Sequence, residues 1–232
     1  MVSPEILQRR LKPLELAAAD ELLIHEIYTS IQGESTYAGL PCTFIRTSVC
    51  HLRCNYCDTA HAFTQGNGMS IEAIMDEVRA RGTRLVEVTG GEPLLQDNIH
   101  LLMARLCDEN YQVLIETSGA CDISQIDSRV IRIMDLKTPS SGEVDANQWG
   151  NIEHLTEKDE VKFVLGDRAD YLWAKQVMKK YELESKVTVL FGAIFDRLDS
   201  AQLVDWIVED NLLVRFQLQL HKYIWEPKTR GV

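Results

Sequence analysis

From Thr43 onward the chain repeats one pattern: a short apolar run, a polar or glycine-rich break, then a stretch with helical periodicity. The apolar runs are Thr43–Thr47, Leu85–Val88, Gln112–Glu116, Val130–Met134, Val161–Leu165 and Lys186–Leu190. Between them, residues 70–81, 98–110, 169–181 and 199–211 read as helices. In the first of these, Ser70 is placed to cap the N-terminus. Ile71, Ile74, Met75 and Val78 fall on one face, and Gly82 stops the helix. Strands alternating with helices predict parallel strands joined by right-handed crossovers. Six such strands are too few for the closed eight-stranded form. The expected fold is therefore α/β, an incomplete parallel β/α barrel of about six strands. Val214–Leu220 is a further strand-like run that leads into His221-Lys222-Tyr223.

The remaining segments carry less. Residues 1–20 read as an N-terminal extension with a short helix around Leu14–Ala19, expected to be a surface appendage. Residues 21–232 read as a single domain, beginning with a strand-like stretch from Leu22 to Glu34. Thr64–Gly68 reads as a flexible bend, and Ser140–Asn151 as a long polar surface loop. A formal charge of −11 argues against a large nucleic-acid surface. No apolar run is long enough to cross a bilayer, and no basic n-region precedes an apolar stretch. The expected location is the cytoplasm, where cysteines stay reduced.

In parallel α/β folds, ligands bind at the C-terminal ends of strands. The first strand ends in Cys50-His51-Leu52-Arg53-Cys54-Asn55-Tyr56-Cys57-Asp58-Thr59, three thiols spaced C-x3-C-x2-C. Such soft ligands suit an iron–sulfur cluster or zinc. Three cysteines hold three irons of a cubane and leave the fourth open. Zinc in a structural site takes four ligands, and Cys42 is the available fourth. Cys42, however, lies in the apolar run Pro41–Arg46, where a free cysteine is ordinarily a small buried hydrophobe. The next strands end in Thr89-Gly90-Gly91-Glu92, Glu116-Thr117-Ser118-Gly119 and Asp135-Leu136-Lys137. Each has an ordinary reading as a tight turn or an ion pair, but one site would collect them all. Arg46 suits either a carboxylate of the fold or a substrate carboxylate held bidentately.

The cysteine spacing, with Tyr56 one residue before the last cysteine, resembles the radical S-adenosylmethionine (SAM) superfamily. Gly90-Gly91-Glu92-Pro93 resembles that superfamily's glycine motif, which meets the methionyl amine of SAM through backbone and side chain. Ser30-Ile31-Gln32-Gly33-Glu34, Phe44-Ile45-Arg46, Cys54–Thr59, Glu116–Gly119 and Gln219–Tyr223 are similar to the 7-carboxy-7-deazaguanine synthase family, over nearly the whole chain from residue 24. Val49 and Ser35 depart from it, standing where the family often has glycine.

The resemblance implies a [4Fe-4S] cluster on Cys50, Cys54 and Cys57, S-adenosyl-L-methionine and Mg2+. It implies SAM contacts from Tyr56, Cys57, Asp58, Gly91, Asp135, Leu136 and Lys137. Ile31, Gln32, Gly33, Arg46 and Thr89 would meet a pterin substrate, and Thr59 would hold Mg2+. The implied reaction is ring contraction of 6-carboxy-5,6,7,8-tetrahydropterin to 7-carboxy-7-deazaguanine with loss of ammonia, on the route to queuosine. Implied partners are an electron donor such as flavodoxin or ferredoxin and a second copy in a homodimer. Two other readings of the cysteines stand beside it: a glycyl-radical-enzyme activase, and a non-enzymatic zinc or iron–sulfur protein.

Overall fold

The computed structural model describes residues 3–232. One nine-stranded sheet organises them, in the order β3-β1-β2-β4-β5-β6-β7-β8-β9. β2 (Pro41–Thr47), β4 (Leu85–Gly90), β5 (Gln112–Thr117), β6 (Ile131–Asp135), β7 (Glu160–Leu165), β8 (Thr188–Ala193) and β9 (Arg215–Gln217) run parallel. β1 (Glu21–Ile31) and β3 (Asn67–Ser70) add antiparallel strands at one edge. With β3 and β9 at its free edges, the sheet is an open barrel, as the alternation predicts.

The helices α2 (Ile71–Arg81), α3 (Ile99–Asp108), α4 (Arg168–Tyr181) and α5 (Ser200–Glu209) follow the predicted positions within two residues. Ser70 accepts from the Ala73 N–H and Gly82 adopts φ 72, so both predicted stops of α2 operate. The main core lies between helices and sheet, where Ile74, Met75, Leu102, Met103 and Leu106 cover Val86, Val88, Val113 and Ile115. Successive strand residues point to opposite faces. The other face lines the barrel interior. Its floor is Cys42, Phe44, Leu85, Leu114, Ile131 and Ile133.

Several expectations need correction. The N-terminal helix α1 is Pro4–Leu11, followed by a 3-10 turn over Lys12–Leu16, so Ala17–Ala19 are not helical. Pro4 at the first turn and Ser3 accepting from the Ile6 N–H explain the earlier start. The extension is also no mere appendage, because Arg10 Nη1 donates to the His51 carbonyl at 2.5 Å, inside the cysteine loop. The bend at Thr64–Gly68 contains the start of β3, which pairs with Glu21–Ile24. Val214–Leu220 holds only a three-residue strand, and the chain then turns into α6 (His221–Ile224). The polar loop Ser140–Asn151 is not a free surface loop. Ser141, Asn147 and Asn151 are buried, and the loop is folded against the cysteine segment.

Candidate functional site

The cysteine loop leaves β2 through Val49, which holds φ 76, a left-handed conformation that β-branched residues avoid. Two hydrogen bonds impose it: the Val49 N–H donates to Ala62 O at 2.8 Å, and Glu92 N–H donates to Val49 O at 2.8 Å. The backbone there is one that glycine adopts without steric cost, so Val49 holds its conformation against its own preference. Arg53 folds back on the loop, donating to the carbonyls of Cys50 at 2.7 Å and Leu52 at 2.6 Å, with its guanidinium 4.0 Å from the Phe63 ring centroid. Glu143 accepts from the Arg53 N–H at 2.6 Å, and Ser141 O accepts from the Asn55 N–H at 2.9 Å. The polar loop therefore braces the cysteines from outside.

The glycine turn after β4 is built onto the same loop. Gly90 adopts φ 155, and a Cβ on Gly91 would meet Val49 O at 2.2 Å. Glu92 is fully buried. Its carboxylate accepts from the Thr117 hydroxyl at 2.8 Å, the Ser118 N–H at 2.8 Å, the Ser118 hydroxyl at 2.5 Å and the Leu94 N–H at 3.2 Å. The Glu92 side chain is thus committed to tying the end of β4 to the end of β5, leaving Gly90 and Gly91 to present backbone.

Above the apolar floor, the barrel interior becomes charged. Register sets this layer: Arg46 pairs with Thr89 across β2 and β4, and Asp135 with Lys162 across β6 and β7. The Lys162 ammonium bonds Glu116 and lies 3.1 Å from Glu34. Burial alone would lower its pKa, but Glu116 and Glu34 hold it well above the usual lysine value. The Thr89 hydroxyl donates to Glu116 at 3.3 Å. Glu87 accepts from Gln32 Nε2 at 3.0 Å. Burial, reinforced by Glu116, raises its pKa to about 8, well above the usual carboxylate range, which favours the protonated form. Lys137 Nζ lies 2.8 Å from Asp135.

The structure distributes the remaining expected residues as follows. Gln32 is buried, and its side-chain oxygen accepts from the N–H groups of Glu34 at 2.9 Å and Ser35 at 3.0 Å, which shapes the turn after Ile31. Gly33 O accepts from Leu220 N at 3.2 Å. Arg46 Nε donates to Glu26 at 2.9 Å and its Nη2 to Tyr28 Oη at 2.8 Å, so two of its donors serve the fold. Thr59 stands at the N-cap of the 3-10 turn Ala60–Phe63 and accepts from the Ala62 N–H through its carbonyl at 2.9 Å, but its hydroxyl donates to Asp58 at 3.0 Å and makes no capping bond. Asn147 clamps the Lys137 backbone, accepting from its N–H at 2.8 Å and donating to its carbonyl at 2.9 Å. Leu136 is buried, its N–H bonded to Lys162 O at 2.9 Å.

Sequence reasoning missed Lys162, Glu87 and Lys222. A lysine two residues after Glu160 in an otherwise apolar strand was the available signal for the first, and a glutamate amid valines for the second. Lys222 reaches across the mouth to Asp58 at 2.7 Å. Burial opposes ionisation of Asp58, but Lys222 overrides it and lowers the pKa to about 2. A cavity of about 490 Å³ opens beside this bridge, lined by Phe195, Arg197, Gln217, Gln219 and Tyr223. Gln219 Nε2 joins it to the charged layer by donating to Glu34 at 3.1 Å.

The residues fit a cubane cluster with SAM beside it. All six cysteines are unpaired. Sulfurs around one zinc lie ~3.8 Å apart, given Zn–S bonds near 2.3 Å. Among the described residues, Cys50, Cys54 and Cys57 do not gather within 4.8 Å of one another, as a single ion requires. Thiols binding three different irons have no such need. Asp135 Oδ1 and Tyr56 Oη are buried without a hydrogen-bond partner, at the wall where a polar ligand would satisfy them.

The sequence model of the Radical SAM superfamily matches residues 44–136. The chain is 45% identical to the 7-carboxy-7-deazaguanine synthase of Chlorobaculum tepidum, over 91% of this chain and 97% of that one. It is 43% identical to the synthase of Koribacter versatilis, over 90% of this chain and 99% of that one. Among solved structures, QueE from Escherichia coli shares the fold with a TM-score of 0.70 and 21% identity, covering 86% of this chain and 94% of that one. Cysteine loop, glycine turn and near full-length identity agree, and the chain belongs to the 7-carboxy-7-deazaguanine synthase family of radical SAM enzymes.

Proposed function

We propose that this chain converts 6-carboxy-5,6,7,8-tetrahydropterin to 7-carboxy-7-deazaguanine and ammonia. Substrate and product differ by one ammonia, so the conversion is redox-neutral and SAM is regenerated. A bound cluster and SAM would supply reversible hydrogen-atom abstraction at the pterin, and the residues below would hold and orient the reacting partners. The observation that carries this reading is convergence: thiol loop, glycine turn, Glu116–Gly119 and Asp135–Lys137 stand at the C-terminal ends of the adjacent strands β2, β4, β5 and β6, and register sets Lys162 of β7 beside Asp135.

Cys50, Cys54 and Cys57 hold the cluster. Tyr56, Cys57 and Asp58 meet the adenine side of SAM, Gly91 its methionyl amine, and Asp135, Leu136 and Lys137 its ribose and carboxylate. Ile31, Gln32 and Gly33 line the pterin edge, with the Gly33 N–H facing it because the N–H and carbonyl of Gln32 are bonded to Leu40 and Gly39 and the Gly33 carbonyl to Leu220, while Thr89 fixes the ring. Arg46 has Nη1 left for the substrate carboxylate, because Glu26 and Tyr28 occupy its other side. Thr59 offers its hydroxyl to Mg2+, which prefers a few hard oxygens completed by water and ligand. Asp58 next to it adds negative potential. The apolar floor of Phe44, Leu114 and Ile133 keeps water from entering below. A small reductant protein of the flavodoxin or ferredoxin type would deliver the electron, and the working form would be a homodimer in the cytoplasm. Among the described residues, no helix is long and apolar enough to cross a membrane.

The test is anaerobic reconstitution followed by iron analysis and product detection from the pterin. We expect four irons per chain, ammonia release, and loss of both iron and product in Cys54→Ala. Cys42→Ala, Cys107→Ala and Cys121→Ala should retain the iron. A chain that binds zinc instead of iron, or that cleaves SAM without consuming the pterin, would overturn the assignment.

A further inference from the structure

At the bulged edge of the barrel, His25, Glu26 and His61 each bring one ligand atom within 4.8 Å of the other two. Successive residues of a regular strand point to opposite faces. β1 does not stay regular there: its register against β2 shifts between Ile24 and Glu26, leaving His25 as the extra residue. A bulge re-aims side chains in this way, which lets neighbours His25 and Glu26 serve one site. The third member comes from the 3-10 turn Ala60–Phe63 that follows the cysteine loop.

We propose that His25, His61 and Glu26 form a binding site for a divalent transition ion of the zinc type, separate from the cluster cysteines. Two imidazoles and one carboxylate are a donor set that zinc takes in tetrahedral sites, with the fourth position left to water. The ring nitrogens are prepared for it. His25 Nδ1 lies 2.8 Å from the Gln65 carbonyl, so the proton sits on Nδ1 and Nε2 carries the lone pair. Metal-binding histidines are held in this manner by a backbone carbonyl on the opposite nitrogen. His61 Nε2 is shielded from solvent with no hydrogen-bond partner. The two rings stand 4.9 Å apart, tilted by 55°. Glu26 gives one oxygen to Arg46 at 2.9 Å, and its other oxygen accepts no hydrogen bond among the described residues. That pairing also offsets the guanidinium charge beside the site.

The measurement is zinc uptake by the fully reconstituted holoenzyme, after chelator treatment, with iron and zinc counted together. Full iron loading keeps the cluster cysteines out of the count. We expect one zinc per chain in addition to the iron, unaffected by millimolar Mg2+. His25→Asn and His61→Asn should each weaken zinc binding at least about tenfold while the iron content stays unchanged. X-ray absorption at the zinc edge of the unsubstituted holoenzyme should show nitrogen and oxygen ligands and no sulfur. Sulfur ligation, unchanged zinc affinity in both variants, displacement by Mg2+, or no stoichiometric zinc uptake would each overturn the site.

Discussion

Gly91 lies so close to Val49 that a Cβ on Gly91 would come within 2.2 Å of the Val49 carbonyl oxygen and 2.5 Å of its carbonyl carbon. The obstacle is backbone, so no rotamer change relieves it. Gly91→Ala must push the glycine turn away from the cysteine loop and release the Glu92 N–H from Val49 O. We expect a loss on the order of 2 kcal/mol, the usual scale of overpacking, visible in denaturant midpoints. Because the clash falls on Val49 and the Cys50 nitrogen, at the start of the thiol loop, cluster loading should fall as well. Full iron retention in a stable Gly91→Ala chain would show that the two turns are not mechanically joined.

Lys162 neutralises two acids at once, and its side chain is only 3% exposed. Replacing it by Met leaves Glu116 and Glu34 facing each other without a cation. Breaking a buried pair costs about 3–5 kcal/mol, and the partial exposure of both carboxylates places this case near the lower end. Adding Glu116→Gln to Lys162→Met should recover part of the loss. Additive losses in that double-mutant cycle, measured by chemical denaturation, would argue that the pair is not coupled.

Glu87 gives a pH signature. Its folded pKa, about 8, exceeds the ordinary 4.5, so its bound proton favours the fold. That contribution is complete below about 4.5 and is lost as pH rises toward about 8, with a slope of up to about 1.4 kcal/mol per pH unit. Glu87→Gln keeps an acceptor for Gln32 and removes the titration. The unfolding free energy of wild type should therefore fall relative to Glu87→Gln across that window, then run parallel above it. Parallel curves throughout would mean that Glu87 is ionised in the folded chain.

Thr59 separates a metal role from a turn role. Its hydroxyl bonds Asp58 and makes no capping bond to the 3-10 turn it begins, so Thr59→Ala should change stability by less than about 1 kcal/mol. Turnover of the unsubstituted enzyme should rise on adding Mg2+, and Thr59→Ala should blunt that response with iron and SAM binding intact. Equal Mg2+ stimulation of both chains would leave Thr59 as an ordinary turn residue.

The alternation of strands and helices, the Ser70 and Gly82 stops of α2 and the thiol spacing are local properties, and the sequence by itself determined them. A period of 3.6 or 2 and a cap need only neighbours along the chain. The same holds for the placement of the cysteines, the glycine turn and Asp135–Lys137 at strand ends. Which side chains face one another inside the barrel is decided only by tertiary structure. A strand buried on both faces reads as one apolar run, so Glu87 and Lys162 carried no sign of whether they faced helices or interior. Parallel register then set Asp135 beside Lys162 and Arg46 beside Thr89. Val49 shows the opposite case, where local preference opposes a left-handed backbone and bonds from Ala62 and Glu92 impose it. Those two partners lie 13 and 43 residues away along the chain, and only folding brings them to Val49.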